Sequence, residues 1–347
     1  MYRYLIVILF FISTYNTTNS QTIKDEVFNT NYDSAYYDKL DDFLTSKVFF
    51  SSKLSEFAIN DNNINKDLYY NSRVANSIGL GLSYKWIGLN LSIRTNNSNN
   101  NYSKLFSLQT QFYLRKFTIN FYSTLHKGYY LDRPEKMING ITTYQNYTRN
   151  DISNYTFGIS SYYIFNSGKY SNKATFSHNE WQKKTAGSFL LGGSILYNTI
   201  DADSSIIPSQ IKYPSFLDST MYNTSKYFGI GGSLGYTFVY VIEKHWFFDA
   251  NMLFGLIMAN STIYPYSAND ISSLNVGFNI SYRFGIGYNS KSFYAAINYT
   301  NMWSDIPLPI NNTSYKYNIG VFQVIVAYRF KIPKHNNILP NWSPIKL

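Results

Sequence analysis

The sequence predicts an all-β chain that closes into an antiparallel transmembrane barrel of about twelve strands, with short periplasmic turns and longer extracellular loops. Three observations carry that prediction. The first is composition: aromatic residues make up 19% of the 347, with 35 Tyr and 26 Phe, while charged residues make up only 14%, against about 25% in a soluble domain. Mean hydropathy is nonetheless slightly negative, at -0.25, because Asn, Ser and Thr are plentiful, which suits a wall with one apolar and one wet face. The second is a two-residue alternation of apolar and polar side chains from about residue 47 to residue 331, the period of a strand and not of a helix. The third is that this alternation changes phase across turns in the way tight hairpins require.

Arg3, the apolar run Leu5–Ile12 and the small polar exit at Asn19-Ser20 have the order of a secretory signal peptide over residues 1–20, cleaved near Ser20. No later apolar run approaches the ~18 residues a spanning helix needs. Residues 21–46 are polar and acidic, with Asp25, Glu26, Asp33, Asp38, Asp41 and Asp42, and read as a periplasmic lead-in. The barrel is assigned to 47–331 and a periplasmic tail to 332–347. Cysteine is absent, which excludes disulfides, thiolate metal sites and a cysteine-linked lipid anchor.

A first strand is placed near Val48–Phe57. Between Ser77 and Thr95, Ile78, Leu80, Leu82 and Tyr84 oppose Gly79, Gly81, Ser83 and Lys85; beyond Lys85-Trp86 the apolar set becomes Ile87, Leu89, Leu91 and Ile93. That flip predicts a two-residue turn. The same device recurs at Arg115-Lys116, between Phe106, Leu108, Phe112, Leu114 and Phe117, Ile119, Phe121. Across Glu243-Lys244-His245 the even numbers stay apolar, from Phe228, Ile230 and Leu234 to Trp246, Phe248 and Met252, so that turn should hold three residues. Another pair turns at Asn289-Ser290-Lys291, and the last strand runs from about Tyr315 to Phe330. Short turns near 86, 116, 244 and 290 alternate with longer loops near 60–75, 96–102, 131–152, 201–225, 262–270 and 303–314. Residues 166–187 break the alternation and are assigned to a connection on the short-turn side.

Three stretches carry a family resemblance: Ser77–Asn90 (with Gly79-Leu-Gly-Leu-Ser-Tyr-Lys-Trp-Ile-Gly-Leu-Asn-Leu-Ser92), Leu114-Arg-Lys-Phe117 leading to Lys127-Gly-Tyr-Tyr130, and Asn179-Glu-Trp-Gln-Lys-Lys-Thr-Ala-Gly-Ser-Phe-Leu-Leu-Gly192. Together they resemble a Bacteroidota-type family of signal-peptide-bearing proteins known as a domain of unknown function, over roughly residues 45–331. The resemblance implies an outer-membrane barrel and carries no activity or functional residues with it.

With the apolar faces toward lipid, the polar faces line a lumen: Gln109, Gln111, Asn120, Tyr122, Asp249, Asn251, Asn279, Arg283, Gln323 and Arg329. Such a wall either binds a polar solute or stiffens the barrel as a packed polar core. Asp249 and Arg283 lie on sequential strands, opposite one another or one same-face step apart, and are expected to form an ion pair. Trp181, Lys183 and Lys184 form a cationic amphipathic patch that would either dock a periplasmic partner or anchor at headgroup depth.

Catalysis is not expected. Of His126, His178, His245 and His335, none lies two residues from a Ser; Ser177-His178 is adjacent, which in a strand points the two apart. No cluster has metal-ligand spacing, and no cofactor is expected. Gly79-Leu-Gly81 and Gly229-Ile-Gly-Gly232 sit inside strands as close-packing sites. The net charge of +10 is dispersed, without the basic patch of a nucleic-acid binder. The partners the surface admits are outer-membrane lipid, a small polar solute and a periplasmic protein. The leading expectation is a passive channel or a solute- or partner-binding barrel. The alternatives are a structural or assembly component of an envelope or secretion complex and, third, a lipid hydrolase.

Overall fold

A computed structural model describes residues 32–72, 75–85, 87–95, 104–140, 147–266 and 268–332. The expected signal peptide at 1–20, and most of the expected lead-in and C-terminal tail, lie outside these residues. In chain order the elements are β1 (Tyr37–Lys39), β2 (Phe43–Asp61), β3 (Lys66–Asn71), β4 (Ala75–Tyr84), β5 (Ile87–Arg94), β6 (Lys104–Tyr113), β7 (Phe117–Leu131) and β8 (Tyr147–Ile164). They continue with the short helix α1 (Asn172–Phe176), β9 (Glu180–Gln182), β10 (Ala186–Asp201), β11 (Tyr222–Ile242), β12 (Trp246–Pro265), β13 (Ile271–Asn289), β14 (Phe293–Pro307) and β15 (Thr313–Lys331).

These strands close into a ring. β15 returns to β2 antiparallel along its whole length, from Thr313↔Asp61 to Lys331↔Phe43, so the sheet keeps no long free edge there. β3 and β4 share β2 as partner, β3 along Glu56–Asp61 and β4 along Leu44–Lys53, and together form one of 12 staves. Outward positions are apolar and exposed all round: Leu80 is 65% exposed, Leu91 67%, Leu256 65% and Leu274 66%. A soluble monomer rarely shows an apolar patch beyond a few hundred Å², and one that encircles the molecule is a lipid-facing surface.

The hairpin phases hold. Tyr84 pairs with Ile87 across Lys85-Trp86, with Lys85 at φ 53°. Leu114 bonds Phe117 across Arg115-Lys116, and Ile242 pairs with Trp246 across the three-residue turn. Three details are corrected. Ser290 bonds Phe293, so the β13–β14 turn is Lys291-Ser292, two residues later than expected. The loop expected at 60–75 is a short turn followed by β3, because Lys66–Asn71 continues the ladder on β2. The first strand starts at Phe43, since Leu44, Thr45 and Ser46 already pair with Phe330, Arg329 and Tyr328.

The glycines of the first family-like block have a packing reason. Gly79 faces Phe49, and Gly81 faces Lys47, directly across the β2–β4 register. A Cβ on Gly79 would collide with the Phe49 ring and come within 2.7 Å of the Leu91 carbonyl oxygen. Gly79→Ala is therefore expected to destabilise the barrel by about 1–3 kcal/mol, read as an earlier loss of the compact form on heating in a gel-shift assay. An unchanged midpoint would show that Phe49 can move aside at no cost.

Candidate functional site

The interior is filled from both ends. At the long-loop end, Phe57, Tyr70 and Tyr129 on the inner wall meet Met137 and Ile138 from the loop after β7, and Ile206, Phe216 and Leu217 from the loop after β10. Polar ties fix these loops: Tyr70 Oη donates to the Ile206 carbonyl (2.6 Å), and Asp61 Oδ2 accepts from the Leu217 amide (2.8 Å).

At the short-turn end the irregular stretch 166–185 folds into the mouth as a plug. It contains α1, capped by Ser171, and β9, which pairs with β1 through Tyr37↔Gln182 and Lys39↔Glu180. Each residue of Asn179-Glu-Trp-Gln182 is a fastener. Asn179 Nδ2 donates to the Lys85 carbonyl at 2.6 Å. Glu180 receives Arg115 at 3.0 Å, with Lys173 at 3.9 Å. Trp181 Nε1 donates to the Lys244 carbonyl at 2.8 Å and its ring stacks on His245. Gln182 Nε2 donates to the carbonyls of Lys169 and Lys184. The expected patch is thus engaged within the chain: Lys183 pairs with Asp38 at 2.7 Å and Lys184 lies over the Tyr36 ring. Burial alone would raise the Glu180 carboxyl, but Arg115, Lys173 and the Ser171 hydroxyl outweigh it and hold it below the usual carboxylate range.

Between the two fillings lies a cavity of about 320 Å³. Of the expected lumen residues, Gln111, Asn120, Tyr122, Arg283 and Gln323 line it. Asn251 and Asn279 sit on the inner wall away from it, and Gln109 has no described side chain. Arg329 is spent on the plug, donating to the His178 carbonyl from Nε at 2.8 Å. Asp249 lies one same-face step from Arg283, since its register partner is Gly285 and that of Arg283 is Asn251.

The pair is real but loose: Arg283 Nε stands 3.6 Å from Asp249 Oδ1, and neither atom has a hydrogen-bond partner among the described residues. Arg283 also reaches the plug, donating from Nη2 to the Thr175 carbonyl at 2.7 Å with its guanidinium 4.3 Å from the Phe176 ring centre. Asp249→Asn and Arg283→Gln should each lower heat stability, Arg283→Gln more. The double variant should fall short of their sum by about 0.5–3 kcal/mol; strict additivity would show that the pair does not interact.

Sequence reasoning missed Lys47 and His178. Lys47 stood at the edge of the acidic lead-in, yet it occupies an inward position on β2 and lines the cavity with Arg283; the alternation Lys47, Phe49, Ser51 against Val48, Phe50 carried the signal. His178 has φ 63°, which presents its ring to the cavity beside Tyr294. Both ring nitrogens are buried without a partner. Burial, and then the cations Lys47, Arg283 and Arg329, hold its imidazole well below its usual value. The neighbouring Ser177 hydroxyl is turned to the Lys173 carbonyl and Asn179, not to this ring. No cluster of metal-ligating side chains occurs among the described residues.

Several solved structures share the barrel outline. The outer membrane protease OmpT from Escherichia coli matches at 10% identity over 84% of this chain and 98% of that one, with TM-score 0.40. The monoaromatic hydrocarbon channel TodX, as its deltaS2 mutant, matches at 8% over 84% and 90%, TM-score 0.30. The outer membrane protein OprG from Pseudomonas aeruginosa matches at 12% over 84% and 97%, TM-score 0.24. These are distant likenesses of outline, and the closed ring stands on its own strand register. No curated relative matches the chain. The match that spans the plug, the cavity wall and all 12 staves is to a family: over residues 31–330 the chain belongs to the DUF4421 family, a domain of unknown function.

Proposed function

We propose that the protein is an outer-membrane barrel that binds a small anionic solute in its lumen and does not act as an open axial pore. The observation that carries this reading is the central cavity: it is lined by Lys47, Lys53, His178 and Arg283, with no Asp or Glu among its lining residues. Arg283 is partly compensated by Asp249 behind it, whereas Lys47 has no acidic partner within ion-pair distance among the described residues. A cation in a low-dielectric wall without a counter-charge is costly unless a ligand supplies one. A neutral His178 adds a ring N–H donor. The fillings at both ends argue against axial flow.

In this reading the short-turn end faces the periplasm, residues 1–20 are removed on export, and the mature chain starts near Gln21; an intact mass from purified outer membranes tests that boundary. In planar bilayers the protein is expected to give no stepwise conductance, and steady channel steps would overturn the sealed-lumen reading. Octanoate, a water-soluble carboxylate, is expected to bind the detergent-solubilised barrel, and Lys47→Gln to weaken it roughly tenfold, the size of one lost charge-assisted hydrogen bond. Octylamine should not bind. Equal binding of the acid and the amine would remove the cation from the argument.

A further inference from the structure

Among the described residues, one seam of the wall is paired only at its base. Neighbouring staves pair along most of their length, as β4–β5 do from Ser77↔Arg94 to Tyr84↔Ile87 and β6–β7 from Lys104↔Lys127 to Tyr113↔Thr118. β5 and β6 pair only at Ile87↔Phe112 and Gly88↔Gln111. Continuing that register would place Leu91 opposite Leu108, but the strands have parted. Above the seam the ring closes without them, because β3 pairs directly with β7 at Tyr70↔Leu131 and Asn71↔Tyr130. The result is a window with β5 and β6 as its sides, their last shared pair as its sill and the β3–β7 bridge as its lintel.

The window leads to the cavity. Asn90 and Ser92 on the inner lip of β5 line it, as does Gln111 at the sill. Asn90 and Ser92 are exposed, as is Thr300 on the cavity-lining face of β14, whereas the inward Ser51 is 0% exposed and Asn298 3%. Outside, the same two strands present apolar side chains, Leu91 at 67% and Leu108 at 54% exposed, so the window opens at the depth of the lipid-facing surface and not at a barrel end. With both ends filled, this side opening is the route into the cavity that the wall offers among the described residues.

We propose that the β5–β6 window admits a single-chain anionic amphiphile from the bilayer, which places its anionic head against Lys47, His178 and Arg283 while its tail stays in the window among the lipid chains. This rests on the anion-binding reading above and adds the ligand class and the route. The inner lip is polar and the outer lip apolar, matching a molecule that is charged at one end and greasy at the other. His178, buried with both ring nitrogens unpartnered and turned into the cavity, is a group the fold itself leaves for such a head to bond.

The chain has no cysteine, so a Leu91→Cys/Leu108→Cys pair can staple the seam without side reactions. Uptake of dodecanoate from phospholipid vesicles by the reconstituted barrel should slow at least roughly tenfold, more than one RT-scale barrier, when the pair is oxidised, and recover on reduction. Octanoate affinity at equilibrium should be unchanged. Ser92→Trp, which fills the inner lip, should slow uptake in the same way and serves where the pair does not cross-link. Dodecanol, without the charge, should bind far more weakly than dodecanoate. If the staple and Ser92→Trp both leave the rate unchanged while octanoate still binds and Lys47→Gln still weakens it, the route is wrong and the cavity reading stands. If octanoate fails to bind at all, the cavity reading falls and the amphiphile proposal with it.

Discussion

Glu180→Gln should cost the plug about 3–5 kcal/mol, the penalty for removing one partner of a buried ion pair. Glu180 is 1% exposed and Arg115 7%. The carboxylate accepts from both terminal guanidinium nitrogens of Arg115, Nη1 and Nη2, and from the Ser171 hydroxyl, with Lys173 close by. Taking away its charge leaves two cations facing each other in a site where burial already opposes the Lys173 charge. The barrel wall does not depend on this contact, so the loss should be local. Hydrogen exchange over residues 170–182 should rise toward that of exposed loops while the wall strands keep their protection. If exchange in the plug is unchanged, Arg115 and Lys173 have found other counter-charges and Glu180 is not the fastener.

The same site gives acid sensitivity a direction. The Glu180 value is lowered in the folded protein relative to 4.5, so its stabilisation is complete above that value and is lost as pH falls through the lower folded one. His178 is also lowered, from 6.5. Below that pH the unfolded imidazole takes up a proton that the folded one does not, so the plug weakens from about pH 6.5 downward until the folded value is reached. Plug exchange should therefore rise in two acid steps, and Glu180→Gln should abolish only the lower one. A single step that survives in that variant would assign the acid response elsewhere.

The wall was legible because lipid and lumen impose a period of two on every stave, and hairpin phase follows from counting residues between apolar positions. Tyr84-Lys85-Trp86-Ile87 and Ile242 to Trp246 show this directly. The plug was not legible, because its contacts are set by tertiary structure. Asn179 meets Lys85, Glu180 meets Arg115 and Trp181 meets Lys244, and no local pattern links those positions. The three family-like blocks looked like separate stretches; in the fold the turns of the first two hold the third. Five of the expected lumen residues, Gln111, Asn120, Tyr122, Arg283 and Gln323, line the cavity, while Arg329 is bound to the plug. Period alone cannot tell Gln323, which lines the cavity, from Arg329, six residues on along the same face and bound to the plug. Lys47 was lost for a related reason: it follows an acidic run, and composition outweighed the alternation that begins there.

Arg329 carries the second large effect. It lies on β15 at 2% exposure, and no carboxylate comes within ion-pair distance of it among the described residues. Its guanidinium is satisfied by neutral acceptors instead: the His178 carbonyl from Nε at 2.8 Å and Nη2 at 2.5 Å, the Asn289 side chain from Nη1 at 2.9 Å, the Ser290 carbonyl, and more distantly the Glu180 carbonyl at 3.4 Å. Arg329→Met keeps the stem and removes the fork, leaving at least two carbonyls unpaired at about 1–3 kcal/mol each. Part of that is offset because a buried cation no longer has to be desolvated, so a net loss of about 2–4 kcal/mol is expected. Arg329→Lys should recover little, since an ammonium cannot span acceptors on two segments as a planar fork does. Exchange should rise first at 176–180, and the His178 ring, held beside Tyr294 at 4.3 Å, should lose its fixed place, which octanoate affinity would register as a further drop. Combined with Glu180→Gln the losses should be less than additive, because both side chains fasten the same few residues; full additivity would mean two independent anchors. The strand that closes the ring onto β2 would then also be the one that closes the plug, one guanidinium holding a segment 151 residues earlier in the chain.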